Sequence, residues 1–262
     1  MKARLPSALV GLAVTTGVGA ASPAQAEVTR FSDYPSQTAL TTPPGRLNLG
    51  VFSAGTFSPN ERVELRLHPL WFFVLPHVEA KVRWLDAGPL QLSSVHRLSY
   101  PTWFLGLVSR EGSLGLLPPT TDVPIAVLLE SDVLGSVEWQ PGHWLSLELG
   151  AALALQGGGN LPVLDFPFLY QRFAALSAPW VPRLGLSLEG SIGPVAYALD
   201  YHHYVLPLDG FETFHANEWS ARAYLEVARG HRIGAGARLS AAHFPIGWRT
   251  HALPFIDYQL AL

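Results

Sequence analysis

Beyond residue 45, apolar side chains recur at every second position along most of the chain, and this period of two constrains the fold more than any other feature. The run from Leu145 to Leu155 is one of the clearest, with leucine or alanine alternating with smaller or polar residues. Successive side chains of a β-strand point to opposite faces, so each such run predicts a strand with one apolar and one polar face. We predict an all-β fold of about twelve antiparallel strands, with ten as the lower count.

Two segments fit this pattern less well. Residues 166–176 are included as a strand that Pro167 interrupts. Residues 101–123 make a long link, which either holds a short helix, with 103–117 as the amphipathic stretch, or marks a miscounted strand. Glycines at 106, 112 and 115 weaken the helical interpretation.

The first 26 residues have the three parts of a secretory signal peptide. Lys2 and Arg4 give a positive start, an apolar run extends from Ala8 to about Ala21, and residues 24–26 read Ala-Gln-Ala. The apolar run is too short for a membrane helix and ends in a small-x-small cleavage pattern, so we predict cleavage after residue 26. Residues 27–45 then form a polar, extended lead-in, and residues 46–262 form the barrel.

Composition excludes several classes of protein. Without Lys2 and Arg4, 15 of the 17 basic residues remain against 20 acidic ones, a net charge of −5 with no basic stripe, so we expect no nucleic-acid partner. The chain has no cysteine, which excludes disulfides and thiolate metal sites. Hydrophobic residues make up 48% and charged residues 14%, a composition expected of a barrel that turns an apolar face to lipid on every strand. A soluble all-β binding protein, with the apolar faces inward, also gives alternation and remains the alternative.

The last strand reaches the end of the sequence with Tyr258, Leu260 and Leu262 at alternate positions. This pattern resembles the C-terminal assembly signal of outer-membrane β-barrel proteins of Gram-negative bacteria, with Leu262 in place of the usual phenylalanine. The resemblance implies a transmembrane up-and-down barrel in the outer membrane, with membrane lipids and the barrel assembly machinery as its partners. It covers the last strand alone and points to no specific family.

Loop lengths and aromatic positions favour the membrane barrel. Links at 190–193 and 229–231 are short, and those at 204–216 and 243–251 are longer, as expected of periplasmic turns and outer loops. On this count the link at 101–123 falls on the periplasmic side. Aromatic residues at strand ends are typical of interfacial girdles. Those assigned to the apolar face are Trp84, Trp139, Trp144, Tyr201 and Trp219.

If the apolar faces meet lipid, the intervening charged residues line the lumen. They are Arg62, Glu64, Arg66, Glu79, Lys81, Arg83, Glu130, Asp132, Glu148, Arg183, Glu189, Glu218, Arg222, Glu226, Arg238 and Asp257. One interpretation is a structural ladder of cross-strand ion pairs that fills a small barrel. The other is a hydrated channel for small polar solutes, whose selectivity these charges would set.

A surface hydrolase of the lipase or protease type is the remaining alternative. Asp200, His202 and His203 lie near the outer end of one strand, and His215, His243 and His251 lie on or beside neighbouring outer loops. A catalytic histidine must reach a nucleophile, and no serine motif accompanies these residues. We therefore predict that the protein is not an enzyme, and the sequence indicates neither a metal site nor a cofactor.

Overall fold

The computed structural model describes residue 34 and residues 37–110, 117–159, 170–207, 213–244 and 247–262. Residues 1–26, where the predicted signal peptide falls, lie outside this part of the chain. The described strands are β1 (Leu47–Gly50), β2 (Gly55–Asn60), β3 (Val63–Leu67), β4 (His77–Ala87), β5 (Leu90–Ser99), β6 (Ile125–Gln140), β7 (His143–Gly157), β8 (Val181–Ile192), β9 (Val195–Leu206), β10 (Phe214–Ala228), β11 (His231–Phe244) and β12 (Gly247–Ala261). The helical elements are α1 (Pro69–Val74), α2 (Thr102–Val108) and α3 (Tyr170–Phe173), which continues into a 3₁₀ turn at Ala174–Leu176. Within the described residues, no helix combines the length and the apolar character that crossing a bilayer would need.

The twelve strands form one closed antiparallel barrel, in which each strand pairs with its neighbours in the sequence and β1 pairs with β12. The closing contact is short and runs from Asn48↔Ala261 to Gly50↔Gln259. Closure leaves no whole strand as a free edge, which is the condition for a sheet to span a bilayer. The predicted all-β, up-and-down transmembrane barrel of about twelve strands is confirmed.

The two ends of the barrel differ. β1 begins and β12 ends at one end, which we call the terminal end, and five two-residue turns lie there, at 61–62, 88–89, 141–142, 193–194 and 229–230. Gly142 and Gly230 have φ of 75°, a conformation that costs glycine little and lets the chain reverse within two residues. The opposite end, which we call the far end, carries the longer links and all three helices.

The apolar face of each strand is on the outside. In β7, for example, Leu145, Leu147 and Leu149 are exposed while Ser146 and Glu148 are buried. Exposed tryptophans lie near both ends, Trp84 and Trp139 at the terminal end and Trp103, Trp180 and Trp248 at the far end. Trp144 is a correction: it is only 8% exposed and points inward, because it shares its face with Ser146. Charges inside and aliphatic residues outside are the arrangement of a transmembrane barrel and the reverse of a soluble one.

The predicted count of twelve is right, but one predicted strand is wrong and one strand was not predicted. β2 was not predicted, because Phe57 is the only large apolar side chain on its outer face. Within the predicted strand at 166–176, the described residues 170–176 are helical. These two errors offset each other in number. For every link that lies between these two segments in the sequence, the predicted end of the barrel is wrong. The 101–123 link therefore lies at the far end and not at the terminal end, and it contains the helix α2.

A third correction concerns the last hairpin. The expected outer link at 243–251 is mostly strand, since β11 and β12 pair from His231↔Leu260 up to Phe244↔Gly247. Pro254 interrupts the alternation of apolar residues, so the pattern does not predict the first part of β12. It sits in β12 beyond the short contact with β1, where a missing N–H breaks no strand pairing on that side.

A cluster of apolar side chains lies inside the barrel at the far end. The inner faces of α2 and of the α3 segment pack there against the far-end parts of the strands. Phe104 stacks on Phe173 with ring centroids 6.2 Å apart. We call this cluster the apolar plug. Its buried members are Leu75, Phe104, Leu105, Val108, Leu117, Ala126, Leu128, Phe173, Ala174, Ala175, Leu176, Ala178, Val181, Tyr204, Leu206, Phe214, Ala216 and Ala242.

Candidate functional site: the charged interior

Four charged residues of alternating sign stand side by side on four adjacent strands. Arg66 of β3 is opposite Glu79 of β4, Glu79 is opposite Arg97 of β5, and Arg97 is opposite Glu130 of β6. Nitrogen–oxygen distances are 3.2 Å for Arg66–Glu79, 2.5 Å for Arg97–Glu79 and 3.0 Å for Arg97–Glu130. Directly opposed residues on one face of a sheet lie close enough for such pairing, so the register itself builds the row.

The row continues onto β8 through Arg183. Its guanidinium contacts Asp132, lies 2.9 Å from Glu148 and lies 3.3 Å from Glu130. Arg183 and Asp132 belong to strands that are not neighbours, and between them stands Gly150 of β7. A Cβ atom at position 150 would lie 1.9 Å from the Asp132 carboxylate, so glycine is required for the two charges to meet.

A second group of charges lies on β9, β10 and β11. Asp200 accepts hydrogen bonds from Arg222 and Ser220, both at 2.6 Å. Glu218 accepts from Arg172 of α3 at 3.1 Å, and the Nε of Arg238 is 3.5 Å from the same carboxylate. The interior thus carries two ion-pair groups, one on β3–β8 and one on β9–β11.

The lead-in enters the lumen. Residues 37–42, which we call the lumenal segment, are held by charged or hydroxyl side chains of the wall. Lys81 donates to the carbonyls of Thr38 and Leu40, at 2.8 and 2.6 Å. The segment's own N–H groups complete the contacts: Gln37 donates to Glu189, Ala39 to Ser136 and Thr42 to Glu64, at 2.6–2.8 Å. The sequence predicts only a polar, extended lead-in here. It carries no signal that this short Thr/Ser/Pro-rich stretch forms hydrogen bonds inside a barrel.

The predicted lumen-lining residues fall into two sets. Most lie inside the barrel, and all of these except Asp257, which bonds to Tyr224, contact the groups above: Glu64, Arg66, Glu79, Lys81, Glu130, Asp132, Glu148, Arg183, Glu189, Glu218, Arg222, Arg238 and Asp257. Three lie near the terminal turns: Arg62 is exposed, Arg83 pairs with the half-exposed Asp86 at 3.1 Å, and Glu226 accepts from the N–H of Gly230. Of the predicted assembly residues, Tyr258 and Leu262 are exposed, and Leu260 pairs with Leu49 of β1.

Three interior arginines were not among the predicted residues. Arg97 could have been found, since Leu90, Leu92 and Leu98 are exposed and fix its face of β5 as the inner one. Arg232 precedes the exposed Ile233 in β11, which places it on the inner face, and it is buried against the ring of Tyr34 with its guanidinium carbon 3.6 Å from the ring centre. Arg172 belongs to a helix, for which alternation gives no signal.

The hydrolase candidates do not come together. His202 faces inward, 3.8 Å from Glu148, whereas His203 faces outward, hydrogen-bonds to Asn217 at 2.9 Å and stacks on His215. Adjacent residues of one strand point to opposite faces, which separates the two rings. Asp200 is engaged by Arg222 and Ser220. Among the described residues, no three His, Asp or Glu side chains are grouped closely enough to hold a metal ion.

Two histidines fasten the far-end links through fixed tautomers. His68, in the link between β3 and α1, accepts at Nδ1 from the N–H of Trp71 and donates from Nε2 to the carbonyl of Phe52, at 2.8 Å. His77 accepts at Nε2 from the N–H of His68 and donates from Nδ1 to the carbonyl of Leu75. A ring that accepts at one nitrogen and donates at the other is neutral, so these contacts require both imidazoles to be unprotonated.

This arrangement predicts acid sensitivity. Burial lowers the pKa of His68 from 6.5 to about 4, so below pH 6.5 the unfolded chain takes up the proton first and stability falls as the pH drops towards 4. We expect His68 to contribute a loss of roughly 1–3 kcal/mol over that range. Urea unfolding of the refolded protein in detergent at pH 7 and pH 4.5 measures it, with His68→Gln as the comparison. The variant should lose less stability than the wild type on acidification. Above pH 7 the free energies of unfolding of the two proteins should change with pH in the same way. Equal losses on acidification would contradict the assignment.

No family model and no curated protein matches this chain. Solved structures similar to it are outer-membrane proteins. OmpT of Vibrio cholerae is 7% identical with a TM-score of 0.44, over 80% of this chain and 64% of its own. OccAB4 of Acinetobacter baumannii is 9% identical with a TM-score of 0.40, over 83% of this chain and 51% of its own. OccK10 of Pseudomonas aeruginosa is 11% identical with a TM-score of 0.37, over 85% and 62%. This chain therefore spans less than two thirds of the length of each, and the likeness concerns barrel shape alone.

Proposed function

We propose that the chain is an outer-membrane barrel with a structural role, whose lumen is closed at rest by its own residues. The observation that carries the proposal is the filling of the interior. The lumenal segment occupies it beside β3, β4 and β6, and the apolar plug occupies its far end. Small barrels fill their interiors with side chains, and this one adds two segments of backbone. Outer-membrane lipids and the barrel assembly machinery are the partners that such a role implies.

The outward aliphatic face supports the membrane location. Leu147, Leu149 and Ile233 are each more than 40% exposed, and similar residues surround the barrel. An apolar belt of this extent would drive a periplasmic protein to aggregate. The same belt is what an outer-membrane barrel presents to acyl chains.

Two measurements test the proposal together. On a gel, the unheated protein from outer-membrane fractions should migrate differently from the heated one, because a closed barrel resists detergent until it is boiled. In planar bilayers the refolded protein should give no steady conductance. A processed chain found dissolved in the periplasm would refute the location, and a steady open pore in a heat-modifiable sample would refute the closed lumen alone.

The channel for small polar solutes is the second candidate, and a specific observation favours it. Most contacts described for the lumenal segment are hydrogen bonds, among them those to Lys81, Glu189, Ser136 and Glu64, which water can replace. The segment also buries Ala39 against Val95 and Leu134, so its departure would expose this one small apolar cluster. A conducting state would require both this segment and the apolar plug to move.

The surface hydrolase receives less support. His202 and His203 lie on opposite faces of β9, and Asp200 is already paired with Arg222. A nucleophile needs a base within hydrogen-bond reach, and the serine nearest in this group, Ser220, donates to a carboxylate that an arginine neutralises.

A further inference from the structure

A cavity of about 160 Å³ lies inside the barrel under the far-end links, and arginines dominate its walls. Residues 52–54, His68, Trp71 and Leu75 form one side. The other side carries five arginines, and Glu79 is the one carboxylate among the described lining residues. The arginines are Arg66, Arg97, Arg172, Arg222 and Arg238.

The carboxylates behind these arginines are shared between them. Glu79 serves both Arg66 and Arg97, and Glu218 serves both Arg172 and Arg238. Each guanidinium has five N–H donors, and the contacts described for Arg222 and Arg238 do not use all of theirs.

Two of these donors are buried without an acceptor. Within the described part of the chain, the Nε atoms of Arg222 and Arg238 have no hydrogen-bond partner. The nearest carboxylate oxygen to the Nε of Arg238 is 3.5 Å away, at the limit of a useful hydrogen bond. A buried donor without an acceptor destabilises the fold, and a bound ion is one of the ways in which native structures satisfy such a donor.

We propose that this cavity binds a phosphate-type oxyanion, either free phosphate or the headgroup of an anionic lipid. The volume accommodates several water molecules or one phosphate group. The planar guanidinium matches the oxygens of such an anion with two parallel hydrogen bonds, which makes arginine the preferred residue for phosphate. Chloride would satisfy charge without using this geometry.

The wall beside the cavity is not built from full-length strands. β1, β2 and β3 have only 4, 6 and 5 residues, whereas a strand needs about 9–11 to span the hydrocarbon core. β1 covers only the terminal part of β12, so beside the cavity the wall consists of α1 and residues 51–54. The exposed side chains of α1 are Leu70, Phe72 and Phe73, which suit contact with lipid.

Binding is measured on the refolded barrel in a zwitterionic detergent, with inorganic phosphate as the first probe in calorimetry. Arg238→Gln should weaken phosphate binding about tenfold or more, the effect of losing one charge-assisted hydrogen bond. Arg62→Gln removes the same charge from an exposed turn and should change the affinity less than twofold. If Arg238→Gln does not fold, Arg238→Lys keeps the charge without the planar fork and should still weaken binding.

The second arm identifies the source. The barrel is placed in nanodiscs of phosphatidylcholine containing phosphatidylglycerol, and bound lipid is counted by native mass spectrometry. Retention of phosphatidylglycerol by the wild type and its loss in Arg238→Gln would assign the lipid headgroup. Phosphate binding without lipid retention would assign the free anion. No binding of either probe by a heat-modifiable sample would overturn the oxyanion site and leave the barrel untouched, whereas loss of heat-modifiability would count against the proposed function itself.

Discussion

A cysteine placed at position 146 should be protected from water-soluble thiol reagents in the full-length barrel and should react at least about 100-fold faster once residues 27–42 are deleted. Ser146 is 2% exposed and hydrogen-bonds to Ser136, which in turn holds the N–H of Ala39. The chain has no native cysteine, so Ser146→Cys gives a single labelling site. Seven of the described hydrogen bonds join the lumenal segment to the wall, each contributing about 1 kcal/mol, and a locally open state is correspondingly rare while they are intact.

A milder variant tests the same closure. Lys81→Met removes two of those hydrogen bonds, so its labelling rate should lie between those of the full-length and shortened barrels. Ala228→Cys, at the exposed terminal end of β10, should react at the same rate in all three backgrounds. Rapid labelling of position 146 in the full-length protein would mean that the segment does not close the lumen.

The amino-acid sequence is sufficient to predict which face of most strands points out of the barrel. Alternation in β6, β7, β10 and β11 fixed the outward face of each strand, because a one-residue slip would place every leucine inside. Once those faces are known, the charged residues between them are assigned to the interior. This is why most predicted lumen residues, from Glu64 to Asp257, lie inside the barrel.

Alternation could not predict the helices and links that lie inside the barrel. Arg172, the apolar plug and the lumenal segment belong to helices and links, and their positions depend on tertiary contacts that leave no period in the sequence. Strand β2 was missed for a related reason: it turns Thr56 and Ser58 inward and contains Pro59, so Phe57 is the only large apolar residue that marks its outer face. The pairing of charges also depends on strand register. Alternation tells which face a residue is on, but it does not tell which residue of the next strand lies opposite.

Glu79→Gln should destabilise the barrel by about 3–5 kcal/mol, the usual cost of removing one partner from a buried ion pair. Glu79 is 6% exposed and neutralises both Arg66, at 3.2 Å, and Arg97, at 2.5 Å. Glutamine has the same volume, so the change removes charge without opening a cavity. The midpoint of guanidinium unfolding in detergent micelles, with the slope checked for constancy, measures the loss.

The matched control is Glu61→Gln, which makes the same chemical change on an exposed turn and should alter stability by less than about 0.5 kcal/mol. The comparison separates the two roles considered for the interior. In a closed structural barrel the two arginines left by Glu79→Gln have only the water of one small cavity to replace the carboxylate, so the loss is large. In a hydrated channel water would solvate them, and the two variants would unfold at nearly the same denaturant concentration. A large difference therefore supports the closed structural barrel, and a negligible one would favour the channel.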